Sequence, residues 1–409
     1  MGEILFLAHR IPFPPDRGDK IRSFHILRHL CGLARVHLAC FADDPGDAAH
    51  LSGLRSALGD GLGQCFVEVR PRNRLRAVRA LATGEPLSTA LFRSAALQAF
   101  VDRMLASRPL DVIFAFSGQM AQFVPATAAS RFVMDFVDAD SAKFADYGAS
   151  GRGPTAWLYR READRLLVFE RATALRADVS LFVSEAEAAL FQRRIGSATA
   201  DIRALGNGID LGFYDPEAGF EPLAAKERGA GPLIVFTGQM DYRPNVEAVA
   251  AFAHDVMPRL RERWDDARFA IVGRNPTDIV RSLDGRNGTR VTGAVPDVRS
   301  WLAAADVVVA PLRIARGIQN KVLEALAMGR PTMVSSAALE GIDAQPGVHL
   351  LLADGADAQA EAVSEVLADP ARAAMLGRAG RQRMHSQYSW TARLAPLGEI
   401  MGFRSRAAA

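Results

Sequence analysis

The sequence predicts a pair of α/β domains, each built on a parallel sheet, and three observations carry that expectation. At 409 residues the chain is too long for one ordinary core, and two domains of roughly 200 residues each are the natural division. Short β-branched or apolar runs alternate with longer helical patterns, the order that builds parallel sheets covered by helices. The rhythm breaks once, over Phe213–Pro232, where Pro, Gly, Ala and charge precede a fresh apolar run. The expected layout is therefore an N-terminal domain over 1–214, a linker over 215–231, a second domain over 232–385 and a closing helix over 386–409. Two such domains are expected to meet across a cleft, since open parallel sheets take ligands at the carboxyl ends of their strands.

In chain order, the runs that read as strands are Ile4–Ala8, Val36–Phe41, Val112–Phe116, Phe132–Phe136, Val179–Val183, Leu233–Thr237, Arg268–Val272, Val307–Ala310 and Pro331–Ser335. Most have few polar positions, as strands buried on both faces require. Between them Ile21–Leu30, Thr155–Leu175, Ser184–Arg193, Asn245–Val256 and Asn320–Met328 read as helices, and Leu81–Leu105 as a helical region. No repeat of solenoid length is present.

Composition narrows the function classes. A net charge of +3 is too small to imply nucleic acid. Cys31, Cys40 and Cys65 match neither a metal spacing nor a disulfide framework, and read as buried small apolar residues in a reducing compartment. The opening MGEILFLAHRIPFPP is not a signal peptide, because its apolar run is short and stops at Arg10 and Pro12. No window has the length and apolarity of a spanning helix. The expected place is the cytoplasm, at most peripheral to the inner face of the cytoplasmic membrane.

Four loops could carry chemistry. Pro12–Lys20 (PFPPDRGDK) follows the first strand, and Gly18 lets a ligand approach the free amides of the next helix; the same residues read as a tight turn with a charged cap. Ala204–Asp210 (ALGNGID) contains the turn signal Asn207-Gly208. Phe236–Asn245 (FTGQMDYRPN) ends a strand at Gly238, and Arg243 reads either as a phosphate ligand or as a solvated loop arginine. Pro311–Pro331 leads through a glycine loop into a helix near Asn320. The amides there favour an anion, and Arg316 and Lys321 add positive charge able to stabilise a leaving diphosphate without requiring a metal. Glu324, in the apolar stretch VLEALAM, is expected to be partly buried and so to need a partner: a ribose hydroxyl or a salt bridge.

These motifs, with IVGRNP (Ile271–Pro276), VTGAVPD (Val291–Asp297) and YSW (Tyr388–Trp390), stand in the order and spacing of family 4 retaining glycosyltransferases, which the chain resembles over nearly its whole length. PFPPDRGDKIRS and VMDFVDADSAKF resemble a narrower group, the sugar transferases associated with exosortase and PEP-CTERM exopolysaccharide systems. The resemblance implies a GT-B fold, two Rossmann-like doubly wound domains with the final helix crossing back to the first. It implies Gly18 and Asp19 against the donor phosphate and sugar, with Arg274 and Val295–Asp297 bordering the base. It implies Gly317, Ile318, Gln319, Asn320, Lys321 and Val322 around the diphosphate, and Glu324 on the ribose. The nucleotide-diphosphate sugar is a substrate, so no cofactor or metal is expected. The implied acceptor is a saccharide or lipid-linked molecule.

The chain departs from that pattern at three places. Arg316 stands where the family carries a sugar-contacting glutamate. The loop after Gly238 has only Arg243 as a cation, leaving Lys321 to supply the charge of a missing lysine. Ser117 and Gly118 stand where a histidine is common. Asp138, beside Asp135 and Asp140, reads either as a catalytic group near the sugar or as a helix cap. Arg70–Arg79 reads as a solvated face or as a patch for anionic lipid headgroups. Two other functions remain open on these residues: a nucleotide-sugar epimerase or hydrolase using Asp138 with Asp19, and a catalytically silent binding protein.

Overall fold

The computed structural model describes residues 2–70, 74–150, 152–315 and 318–403. The chain forms two compact units, one running to Asn207 and resuming at Arg393, the other spanning Gly208–Ala392.

The first unit holds seven parallel strands: β1 (Glu3–Ala8), β2 (Arg35–Ala42), β3 (Leu62–Val69), β4 (Val112–Phe116), β5 (Arg131–Val137), β6 (Val179–Phe182) and β7 (Ile202–Ala204). Their order is β3-β2-β1-β4-β5-β6-β7, so the winding reverses between β1 and β4. The second unit holds β8 (Leu233–Thr237), β9 (Arg268–Val272), β10 (Thr289–Gly293), β11 (Val307–Ala310), β12 (Thr332–Val334) and β13 (Leu351–Leu352) in the order β10-β9-β8-β11-β12-β13. Here the reversal lies between β8 and β11. In such sheets the reversal opens a crevice at the strand carboxyl ends, which places the ligand-facing loops of each unit.

All nine expected strands form, within a residue or two of their expected limits. The four that the sequence does not announce, β3, β7, β10 and β13, are the four sheet edges. An edge strand is not buried on both faces, so it lacks the continuous apolar run that marks an inner one. The expected helices lie within Gly18–Leu33, Gly153–Arg176, Glu185–Ile195, Arg243–Ala251 and Asn320–Ala327, give or take a residue, and the fourth continues as a π turn over Phe252–Val256. The region Leu81–Leu105 instead divides into Arg74–Thr83, Leu87–Ala90 and Ala95–Ser107, broken at Pro86 and at Ser94, whose hydroxyl caps the third piece. Cys40 is buried, but Cys31 and Cys65 are only half-buried, a correction to the expectation that all three are core residues. The stretch after Gly208 packs on the second unit, where Tyr214, Phe220 and Leu223 join the apolar layer around Trp301 and Leu302. The returning C-terminal segment docks on the first unit, where Arg131 Nε donates to the Ile400 carbonyl at 2.8 Å.

One buried ion pair ties the first unit together. Arg22, 1% exposed on the helix after β1, donates to both oxygens of Asp135, which is fully buried on β5, at 3.0 and 3.2 Å. Its other nitrogen donates to the Leu205 carbonyl at 2.7 Å and to Asn207 Oδ1 at 2.8 Å. Burial raises the pKa of Asp135 and Arg22 opposes the rise. Asp135 is thereby removed from the acidic cluster expected around Asp138, because its carboxylate is consumed inside the fold. Asp135→Ala should strand the guanidinium and cost about 3–5 kcal/mol, read as a lower denaturant midpoint of the first unit's transition.

Candidate functional site

In the second unit the site is built on the turn after β8. Thr237 ends the strand and Gly238 follows, with its N–H donating to the Val272 carbonyl at 3.0 Å. Neither glycine of this corner tolerates a side chain. A Cβ on Gly273 would lie 1.6 Å from the Gly238 carbonyl, and a Cβ on Gly238 would lie 2.8 Å from Asn245 Nδ2 and 3.2 Å from Lys321 Nζ. The backbone of two strand ends is therefore in contact, and the lysine head group rests against it.

Lys321 sits one residue into the helix Asn320–Ala327, which starts after the β11 loop. Its ammonium donates to Asn245 Oδ1 at 2.5 Å and lies 4.3 Å from the centre of the Phe236 ring, a cation–π distance. Asn245 is buried and is itself fixed by donating to the Gln239 carbonyl at 2.9 Å. Burial pushes the Lys321 pKa down to about 8, with Glu324 opposing. A desolvated cation with one neutral acceptor retains capacity for an anion.

Glu324 lies one turn further on. Burial raises its pKa, while a hydrogen bond from the Tyr214 phenol and the charge of Lys321 oppose the rise. Burial likewise drives the Tyr214 phenol far above its ordinary pKa, so it acts as a donor. Tyr214 is held in turn by Arg381, which donates to the Tyr214 carbonyl at 3.4 Å and the Ala327 carbonyl at 2.6 Å, and pairs with Asp215 at 2.9 Å. Glu324 thus finds its partner in a tyrosine.

The remaining expected ligands of this unit are less gathered. Arg243 is 87% exposed and pairs with Glu247 at 2.7 Å on its own helix. Arg274 is exposed, with its guanidinium 3.4 Å from Gln239 Oε1. Val295 is half-buried against the second unit's core. Asp297 caps the helix Val298–Ala304 and is gripped by the Arg299 guanidinium, which stacks on Phe213 at 4.0 Å. Ile318 and Gln319 lead into the helix, where Val322 N donates to the Gln319 carbonyl at 2.9 Å. Arg316 and Gly317 lie outside the described residues.

In the first unit, Gly18 opens the helix after β1 with open space where a Cβ would stand. Asp19 beside it accepts from His9 Nε2 at 3.2 Å and Arg10 at 2.7 Å, and pairs with Arg17 at 3.1 Å. Burial would raise its pKa, but these partners outweigh it and hold the carboxyl far below the usual carboxylate range. Such a group accepts a proton poorly. Asp138 behaves oppositely: desolvation, Glu187 and Asp140 raise its pKa. The residue before it, Val137, has φ of +72°, and Ser117 at the end of the adjacent β4 has +75°. For a β-branched residue this conformation is strained, and strain of this kind gathers at functional strand ends. Among the described residues no group of three His, Cys, Asp or Glu side chains is placed to hold a metal ion.

Sequence reasoning found Gly238, Lys321 and Glu324, which the structure brings to one corner. It missed Tyr214, Phe236 and Arg381 as their supports. Only the closeness of Tyr214 to the ALGNGID turn could have hinted at the first.

Two parallel-sheet α/β units, each with its own winding reversal, define the GT-B architecture. Among solved structures, sucrose-phosphate synthase (tll1590) from Thermosynechococcus elongatus superposes with a TM-score of 0.64 over 100% of both chains at 19% identity. Anabaena Alr3699/HepE in complex with UDP gives 0.63 over 98% of this chain and 99% of that one at 15% identity. Residues 231–369 match the family described as Glycosyl transferases group 1. The GDP-mannose-dependent alpha-(1-6)-phosphatidylinositol monomannoside mannosyltransferase of Mycolicibacterium smegmatis is 30% identical over 260 residues, 58% of this chain and 66% of that enzyme. The corresponding Mycobacterium tuberculosis enzyme is matched over 61% of its length, so the chain covers a little under two thirds of these relatives.

Tyr214→Phe removes the hydroxyl that satisfies a half-buried carboxylate. It should destabilise the second unit by about 1–3 kcal/mol, measured by denaturant unfolding, whereas an unchanged midpoint would mean that Glu324 does not depend on that bond.

Proposed function

We propose that the protein is a retaining glycosyltransferase that moves a sugar from a nucleotide-diphosphate donor to a saccharide or lipid-linked acceptor, in exopolysaccharide or other cell-surface glycan assembly. The observation that carries this reading is the desolvated Lys321 ammonium, set against the bare backbone of Gly238 at the β8–β11 reversal. A diphosphate there would regain the electrostatic partner that water no longer supplies, and its charge would be most stabilised as the sugar–phosphate bond breaks. The similarity to a GDP-mannose-dependent enzyme and to a protein complexed with UDP supports a nucleotide-sugar donor.

In this reading Lys321, with Arg316 and the amides of Gly317 to Val322, holds the diphosphate. Glu324, oriented by Tyr214, takes the ribose, while Arg243, Arg274 and Val295 border the nucleotide. The departing phosphate accepts the proton of the incoming hydroxyl on the same face of the sugar, so no side-chain nucleophile is invoked. Asp19, locked between the Arg10 and Arg17 guanidiniums and the His9 ring, orients the sugar and does not act as base. Asp138, with its raised pKa, is the group able to share a proton with an acceptor hydroxyl. No metal or cofactor enters the scheme, and a cytoplasmic setting among exosortase-associated transferases fits the sequence resemblance. An epimerase or hydrolase would need Asp19 and Asp138 as a working pair, and the three partners of Asp19 disfavour that.

Lys321→Ala should lower kcat/KM by at least about a hundredfold while leaving the unfolding midpoint close to wild type; unchanged turnover at limiting and saturating donor would sink the phosphate role. The same group sets a pH dependence. Its charged form predominates below about 8 and is lost above, so nucleoside-diphosphate affinity should fall as pH rises through about 8. Calorimetric titration should show that step in the wild type and not in Lys321→Met. Product analysis without acceptor separates transfer from epimerisation or hydrolysis, because a transferase leaves the donor sugar unaltered until an acceptor hydroxyl is supplied, whereas the alternatives yield an altered or free sugar.

A further inference from the structure

His9 enters the transfer chemistry only as a neighbour of Asp19, yet its own surroundings are more restrictive than that role needs. It follows β1 directly, where Ala8 pairs with Phe116 of β4, so it stands at the winding reversal of the first sheet. The residue is 8% exposed. Its ring lies nearly parallel to that of Phe116, with centres 5.8 Å apart and planes 19° apart, and it meets the Phe92 ring edge-on at 6.3 Å. Nε2 lies 3.2 Å from Asp19 Oδ2, while Nδ1 is buried and among the described residues has no hydrogen-bond partner.

That asymmetry decides where the imidazole proton sits. A proton on Nδ1 would bury an N–H with no acceptor, whereas a proton on Nε2 meets a carboxylate and leaves only a lone pair unmatched. Arg10 Nη1 stands 3.3 Å from Nε2, but it donates to Asp19 Oδ2 at 2.7 Å and so does not need that nitrogen as an acceptor. A second proton is disfavoured as well, because burial lowers the His9 pKa against the opposing hydrogen bond to Asp19. His9 is thus a neutral and standing Nε2–H donor. The other partners of Asp19 are of a different kind. Arg10 and Arg17 each bridge Asp19 and Asp43, closing a ring of four ion pairs at 2.7, 3.1, 3.1 and 3.0 Å. Their side chains are 28% and 45% exposed, and such guanidiniums keep a rotamer freedom that an imidazole wedged between two aromatic rings does not have. The arginines hold the charge of Asp19, and the imidazole holds its direction.

We propose that His9 is a positioning residue for sugar transfer: it fixes Oδ2 of Asp19 and so sets the angle at which that carboxylate receives a hydroxyl of the donor sugar. The inference rests on the reading that Asp19 meets that sugar. With Oδ2 taken by His9 and Arg10, the hydroxyl is received at Oδ1, beside its contact with Arg17. Small displacements of an acceptor that orients a reacting group are costly to turnover.

Two measurements test it. Long-range nitrogen–proton NMR on the wild type needs no variant, and should find the His9 proton on Nε2 with no titration between about pH 5 and about pH 8. Calorimetry then compares UDP-glucose with UDP, and GDP-mannose with GDP. His9→Phe keeps a ring between Phe92 and Phe116 but removes the donor, and should weaken binding of the nucleotide sugar about tenfold while leaving the bare nucleoside diphosphate unchanged. His9→Gln returns an N–H near the place of Nε2 and should recover most of that loss. A merely structural imidazole would instead shift the unfolding midpoint and move both affinities in step. The proposal is overturned by a proton on Nδ1, by a wild-type ratio of affinities in His9→Phe, or by a His9→Gln variant as impaired as His9→Phe. Asp19→Asn tells two failures apart. If it weakens the nucleotide sugar and His9→Phe does not, the role of His9 alone falls; if neither does, the sugar does not meet Asp19, and that part of the transfer reading falls with it.

Discussion

A lysine ammonium withdrawn from water constrains everything built around it in the second unit. Lys321 is buried enough to lose much of its preference for the charged state, yet among the described residues its one hydrogen bond is to the amide oxygen of Asn245. Asn245 must in turn be fixed, and the Gln239 carbonyl fixes it. The glycines at positions 238 and 273 follow from the same demand, because any Cβ there would push the backbone out of the lysine's reach. The corner is expensive to build from neutral groups alone, and an anionic ligand completes it.

The two units solve a similar problem differently. In the first, the buried charge at the strand ends is answered internally: Arg22 and Asp135 satisfy each other, and Arg22 donates to two further acceptors near the unit's exit. That pair holds structure, while Asp19 and Asp138 take opposite proton affinities from their own surroundings: the carboxyl of Asp19 is held down by His9, Arg10 and Arg17, and that of Asp138 is raised by desolvation, Glu187 and Asp140. In the second, the buried cation is left with an open side. One unit closes its electrostatics and the other keeps an open side at Lys321, where the proposed diphosphate would sit.

Much of this was legible in the sequence, for a physical reason. Inner strands of a parallel sheet are buried on both faces, so β1, β4 and β8 announce themselves as unbroken apolar runs. The glycine loops and Lys321 stand at strand-to-helix junctions, where the fold class alone predicts ligands. The rest depended on contacts between distant positions. Tyr214 meets Glu324 across 110 positions of chain, and Arg381 reaches Tyr214 across 167, distances at which no periodicity speaks. Arg243 stands apart from that corner: it is 87% exposed and pairs with Glu247 one turn along its own helix, a contact weak enough to yield to a ligand.

The silent edges of the two sheets have a consequence of their own. β7 has three residues and β13 two, while the pairings of β3 and β10 each contain a register shift. A long flat margin would offer unpaired amides and carbonyls to any passing strand, and fibril growth begins at such templates. Here each margin is either brief or interrupted, so the thirteen strands among the described residues present little straight border on which another chain could extend either sheet.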